Sequence, residues 1–261
     1  MQLEIDSLLI TIKEKLSDRN VYFLWSGGDD SNLLLKIFLS FNIDTFCNLN
    51  VITIPYPAHV YSETKLEQCK DHFKGRKINY QILKTNYVDE VDITYKNACS
   101  VCKVIRRKAF LDYYLSVRKE NDLIVTGHNL SDLMAYYIEL CIDQMNMQTN
   151  LNRNNRFLEV TSKFLQSYQA EDNIEIFRPM IYLSQPQVQE LLLNPFSQGI
   201  QLEIMQQKCK WLNQRKRLLQ DYFKKANVVS SYETVCKLLT QNFTMPSLDD
   251  FRKLPFVTYL V

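Results

Sequence analysis

The stretch "LWSGGDDSNLLL", Leu24–Leu35, decides how this chain is read. An apolar run ends in two glycines, and a second apolar run at helical spacing follows. That order predicts strand, tight turn, helix. The chain has only 5 glycines among 261 residues, and Gly27 and Gly28 stand side by side here. A sequence so sparing with glycine uses that pair for a backbone need. Consecutive N–H groups in such a turn form a concave donor surface, and the helix N-terminus adds partial positive charge. The spacing is neither the Walker pattern nor G-x-G-x-x-G. A plain strand–helix turn with Asp30 or Ser31 as helix cap is the competing reading. Two carboxylates, Asp29 and Asp30, in the middle of an anion-binding turn call for an explanation.

Outward from this turn, strands alternate with helices. An amphipathic helix over residues 2–19 carries Ile5, Leu8, Leu9, Ile12 and Leu16 on one face. Val21–Trp25 and Thr45–Ile54 read as strands, with a helix from Ser31 to Phe41 between them. Residues 61–74 read as helix and Ile78–Lys84 as extended. A loop then leads to "NACSVCKVIRRKAFLDYYLSVRKEN", whose later part predicts a helix with Val104, Leu111 and Leu115 on one face. "DLIVTGHN" is a fourth strand and turn, followed by a helix from Ser131. The Asn-rich piece Asn146–Phe157 reads as a surface excursion. "NIEIFRPM" is a fifth strand, and the remainder is mostly helical. The expected fold is α/β, a Rossmann-like parallel sheet of about five strands with helices on both faces and a helical C-terminal tail. A soft boundary divides an α/β body, residues 1–205, from an extension, residues 206–261.

The net charge is +2 and the hydrophobic content 46%. The first excludes a polybasic nucleic-acid binder, and the second suffices for a real core. No signal-like leader and no membrane-spanning apolar run is visible. Seven cysteines in a chain of this kind suit a reducing cytoplasm, where clustered thiols point to metal or redox chemistry.

"SGGDDS" after a first apolar strand resembles the SGGxDS signature of the PP-loop ATP pyrophosphatases. The resemblance implies an adenine-nucleotide-hydrolase-like fold and an enzyme that cleaves ATP between its α and β phosphates to adenylate a substrate. It implies that Ser26, Gly27, Gly28, Asp29, Asp30 and Ser31 hold the phosphates, with Asp30 on Mg²⁺ and Asp29 at the variable position. "VTGHNLSDLMAYYIEL" resembles the GHNxDDxxE element of the same family through Thr126, Gly127, His128, Asn129 and Asp132. Ser131 and Ala135 depart from it, and Glu139 lies one turn beyond the missing Glu. A helix already begun at His128 would set Asp132 one turn away on the same face. Arg178-Pro179 resembles the "RPL" segment of tRNA-thiolating members, which implies that Arg178 faces nucleotide or substrate.

Cys99 and Cys102 form a C-x-x-C, a pattern that serves zinc, a redox disulfide or an iron–sulfur cluster alike. Cys47, Cys69, Cys141 and Cys236 read as core or incidental residues. Cys209, between Lys208 and Lys210, resembles the third ligand of the TtcA/TtuA-type tRNA thiolases, and "CSVCKVIRRK" resembles the CxxCxxxRR of the cytidine-thiolating branch. This resemblance implies a [4Fe-4S] cluster on Cys99, Cys102 and Cys209, with one iron open to sulfur. A disulfide or a persulfide on the same cysteines is the rival. Basic runs at Lys103–Lys108 and Lys208–Arg217 neighbour these cysteines and would suit a phosphate backbone, although solvated helix faces give the same pattern.

The expectation is therefore an ATP-dependent sulfurtransferase, with ATP, Mg²⁺ and the cluster as cofactors. Its acceptor is a tRNA base or a small nucleobase-like molecule, its sulfur donor is open, and a homodimer is compatible with it. An adenylating enzyme that uses a persulfide or a nitrogen nucleophile, and a nucleotide-binding module without catalysis, are the alternatives.

Overall fold

The computed structural model describes residues 2–86, 98–146, 152–209, 219, 222 and 231–260. Its centre is a six-stranded sheet in the order β3-β2-β1-β4-β6-β5. The strands are β1 (Asn20–Leu24), β2 (Asn48–Thr53), β3 (Ile78–Ile82), β4 (Asp122–Val125), β5 (Ser167–Gln169) and β6 (Glu175–Phe177). The first four and β6 are parallel, and β5 alone runs antiparallel, on the edge beside β6. The sheet thus has one strand more than the sequence reading. β5 is only 3 residues long, too short for a period-2 signal.

Alternation along β1 explains the layers. Val21, Phe23 and Trp25 face one core, and Tyr22 faces the other. Successive strand side chains point to opposite faces, so a buried parallel strand needs apolar residues at every position. The first core is closed by α1 (Gln2–Leu16), α2 (Asp29–Ser40), α3 (Glu63–Cys69) and α7 (Gln185–Leu192). The second is closed by α4 (Ala98–Val117) and by residues 251–260. A third cluster joins α5 (Leu130–Asn146), α6 (Asn152–Thr161) and α8 (Tyr232–Asn242).

Three local expectations are corrected. α4 does not bury Val104 and Leu115, which are 62% and 51% exposed; it buries Ile105, Phe110 and Tyr114. The aromatic side chains hold more apolar area and meet ring partners: Tyr114 lies 5.1 Å edge-on to Tyr22 and 5.1 Å from Phe256. The later part of the Asn-rich excursion is helix α6. And α5 starts at Leu130, after His128, because Asn129 caps it. The Asn129 side chain accepts from Asp132 N at 3.1 Å, and Asp132 accepts from Asn129 N at 3.3 Å.

The strand order reverses at β1, with β2 on one side and β4 on the other. Open α/β sheets bind ligands at such a switch point, beyond the carboxyl ends of the strands. The turns after β1 and β4 meet there.

Candidate active site

The turn after β1 is held from inside. Gly27 adopts φ +78°, a conformation that side-chain-bearing residues seldom take. Asn32 donates to the Gly27 carbonyl at 3.0 Å and accepts from the Trp25 indole at 2.7 Å. The Ser31 hydroxyl donates to the Gly28 carbonyl at 3.0 Å and lies 3.1 Å from the Ser26 hydroxyl. Helix α2 starts at Asp29 with Gly28 as its cap, and no side chain caps it. The competing reading, a turn capped by Asp30 or Ser31, therefore does not hold. The first N–H groups of α2 are left to another acceptor.

The two aspartates diverge. Asp30 lines the pocket and accepts from Asn129 Nδ2 at 2.8 Å. Asp29 turns the other way and accepts from Gln189 of α7 at 2.7 Å. Asn129 also donates to Gln185 at 2.9 Å, and Ser131 accepts from the Gln185 backbone N–H at 3.0 Å. Ser131, which departs from the family pattern, thus helps seat α7. Ala135 is fully buried, and Glu139 pairs with Arg156 at 3.2 Å on α6.

Gly127 sits where the two turns touch. A Cβ there would lie 3.2 Å from Ser31 N and 3.3 Å from Ser31 Cα. Thr126 and His128 share a hydrogen bond of 3.0 Å. The resulting cavity of about 300 Å³ is lined by Ser26, Gly28, Asp30, Ser31, Thr126, Gly127, His128 and Asp132 at its polar end. Leu24, Ile52, Ile54, Phe110 and Leu260 line its apolar side, with Arg106, Arg107 and Tyr136 beside them.

A strap crosses the turn from outside. Tyr61 and Met205 form an antiparallel bridge, Ser62 N donates to Ile204 O at 3.0 Å, and Gln206 N donates to Val60 O at 2.8 Å. Ile204 packs so closely on Gly27 that a Cβ there would stand 2.4 Å from Ile204 Cγ1. Tyr61 Oη donates to the Ser26 carbonyl at 3.1 Å. Burial holds the Tyr61 hydroxyl above the usual phenol range; nearby Arg106 opposes this, and Cys102 and Cys209 add to it.

Cys102 lies 3.9 Å from the Tyr56 carbonyl, Cys99 is exposed on the first turn of α4, and Cys209 packs against the first core. Cys99 and Cys102 are three residues apart on one helix, which puts them on one face. Among the described residues, no three His, Cys, Asp or Glu side chains are grouped closely enough to hold a metal ion. The second basic run lies outside the described residues beyond Cys209.

The first basic run is only in part a solvated face: Lys108 is exposed and pairs with Asp112 at 3.1 Å. Lys103 and Arg107 turn inward to Glu159, at 2.7 and 2.9 Å, and Arg156 joins them at 3.4 Å. Burial alone would raise the Glu159 pKa; Lys103, Arg107 and Arg156 outweigh it and hold it at about 2. Arg178 does not face the pocket, contrary to the reading of its segment. It is wholly buried and donates to the carbonyls of Ser162 at 3.0 Å and Tyr259 at 3.2 Å, and to the Tyr168 hydroxyl at 3.3 Å. Lys163 is also buried and donates to the Tyr259 carbonyl at 2.6 Å.

No family model and no curated protein matches this chain. Among solved structures, it is similar to the U34-tRNA thiolase NcsA from Methanococcus maripaludis with its [4Fe-4S] cluster. The match covers 89% of this chain and 78% of that one, with a TM-score of 0.62 and 17% identity. This chain shares the Rossmann-like α/β fold of that structure. An NMN synthetase from Francisella tularensis aligns over 92% of this chain and 93% of its own, at 10% identity and a TM-score of 0.47. Within this fold, the structure adds Asn32, Tyr61, Phe110 and Leu260 to the site foreseen from sequence. Asn32 was adjacent to the motif, but the others lie 35 residues or more along the chain from Ser26, with no local pattern to mark them.

Proposed function

We propose that this protein is an ATP-dependent sulfurtransferase that adenylates a carbonyl oxygen and replaces it with sulfur. The observation that carries the reading is the meeting of the Ser26–Ser31 turn with Thr126–Asp132 at the sheet's switch point. The likeness of fold to a tRNA thiolase supports it.

The chemistry follows from the residues. Backbone N–H groups of Gly28 to Ser31 receive the terminal phosphates, so no lysine is needed in the turn. Asp30 would hold Mg²⁺ against them, oriented by Asn129, with Asp132 on the same wall. A substrate carbonyl oxygen forms a bond to the α-phosphorus while the bond to the β-phosphate oxygen breaks, and pyrophosphate leaves. Arg106 and Arg107 line the pocket where charge develops. His128, bonded to Thr126, closes the polar end.

Cys99, Cys102 and Cys209, which are not grouped closely enough here to hold a metal ion, would have to draw together to hold the iron–sulfur cluster, which would supply the sulfur for the activated carbon. The strap would bring Cys209, and with it the extension over residues 206–261, beside the body over residues 1–205. The acceptor we propose is a tRNA base, in keeping with the likeness of fold to a tRNA thiolase. The described residues include no helix long and apolar enough to cross a membrane.

The test is anaerobic purification, followed by the visible spectrum, iron and sulfide content, and release of AMP and pyrophosphate with unmodified tRNA. A protein that turns over ATP but cannot be reconstituted with iron and sulfide would leave the adenylating reading and remove the cluster. Release of neither product with any tRNA or nucleobase would overturn the enzyme reading.

A further inference from the structure

The segment Leu254–Leu260 is anchored in an unusual way. Three basic side chains converge on two of its carbonyls: Arg107 donates to Thr258 O, Lys163 to Tyr259 O at 2.6 Å, and Arg178 to Tyr259 O at 3.2 Å. Lys163 and Arg178 are at most 1% exposed. Buried donors must be given acceptors, so these bonds fix the two carbonyls. The Tyr259 hydroxyl donates to Phe251 O at 2.7 Å, and Phe256 packs 5.1 Å from Tyr114. The segment is therefore fixed to the body at both its polar and its apolar contacts. Its position then fixes Leu260, which lines the cavity.

Leu260 stands with Leu24, Ile52, Ile54 and Phe110, opposite in character to the polar end formed by Ser26, Gly28 and Ser31. If the polar end takes phosphates, the apolar side is left for the purine. We propose that Leu260 is a specificity-determining residue of the nucleotide site: it walls the base end of the pocket, and the clamp of Arg107, Lys163 and Arg178 on Thr258 and Tyr259 holds that wall in place. The inference rests on the nucleotide reading above. Arg107 belongs to both structures, since it lines the pocket and grips the segment. Loss of the Lys163 or Arg178 part of the clamp, neither of which lines the pocket, is expected to loosen the base end while sparing the phosphate end.

The experiment compares ATP with inorganic pyrophosphate, which has no base, by calorimetry on the intact protein. Leu260→Trp is expected to weaken ATP binding at least tenfold and to leave pyrophosphate binding within threefold. Leu260→Ala supplies a gain that misfolding cannot imitate: base-enlarged ATP analogues should improve at least tenfold relative to ATP. Unchanged ATP affinity in Leu260→Trp, an equal loss for pyrophosphate, or no gain for any enlarged base in Leu260→Ala would overturn the wall. Wild-type protein that binds neither ATP nor pyrophosphate would remove the nucleotide reading itself, and the wall with it.

Discussion

Asn129 Nδ2 donates to Asp30 Oδ1 at 2.8 Å and to Gln185 Oε1 at 2.9 Å, so one amide ties the turn after β1 to the start of α7. The same side chain caps α5. Asn129→Ala is expected to lose cap stability of about 1 kcal/mol. It should also weaken Mg²⁺-dependent ATP binding by about 10–100-fold, the usual cost of losing a residue that orients a metal ligand. Calorimetry with and without Mg²⁺ checks both; a loss that is equal in the absence of Mg²⁺ would place the role of Asn129 in folding alone.

Asp29 and Asp30 are adjacent in sequence yet bond to opposite partners. Asp30→Ala is expected to reduce pyrophosphate release by about 10²–10³-fold, the range for removing one aimed electrostatic group. Asp29→Ala removes only the exposed bond to Gln189, and its rate should stay within about threefold, since exposed polar pairs contribute little. Steady-state release of pyrophosphate by the two variants separates them. Equal losses would mean that Asp29 also reaches the reacting groups.

Glu159 gathers Lys103, Arg107 and Arg156 on one carboxylate. Its folded-state pKa, about 2, lies below the ordinary 4.5. A carboxylate depressed in the folded state stabilises fully above the ordinary value and loses that contribution as pH falls toward the folded one. The stake is roughly 3 kcal/mol, lost between about pH 4.5 and pH 2. Glu159→Gln should flatten the acid limb of stability against pH. It should also destabilise the protein at neutral pH by about 3–5 kcal/mol, because three inward cations lose their counter-charge. Chemical unfolding at a series of pH values reads both effects.

Gly27 combines φ +78° with a side chain of Ile204 where its Cβ would be. Gly27→Ala is expected to cost more than about 1 kcal/mol in stability, from the backbone conformation and from the displaced strap together. Measured against Ile204→Ala alone, the same Gly27→Ala change should cost less, because only the backbone part remains. No cost in that background would show that the backbone conformation carries none.

The fold was legible because the centres of β1 and β4 are buried on both faces and read as short apolar runs, β2 ends in another, and each leads on to a helix. β5 was not legible: three residues on an edge, Ser167 to Gln169, carry no period. The polar end of the site was legible in Ser26–Ser31 and Thr126–Asp132, since a turn that must expose its N–H groups restricts which residues can stand there. Arg178 was misread because a strand-end arginine gives no sign of which way it points. Only the fold reveals the carbonyls of Ser162 and Tyr259 that receive it. Leu260 and Tyr61 stayed hidden for a related cause: their importance lies in distant chain segments packed beside them, which no local pattern encodes.

The backbone pairing of Gln206 with Val60 has a consequence for Cys209. Three residues separate the tethered amide from the cysteine, and an extended chain covers at most about 3.5 Å per residue. Cys209 is thus on a leash of roughly 10 Å pinned beside Tyr61. Lengthening that leash by one or two residues would widen the space the thiol can sweep without altering a single side chain of the pocket.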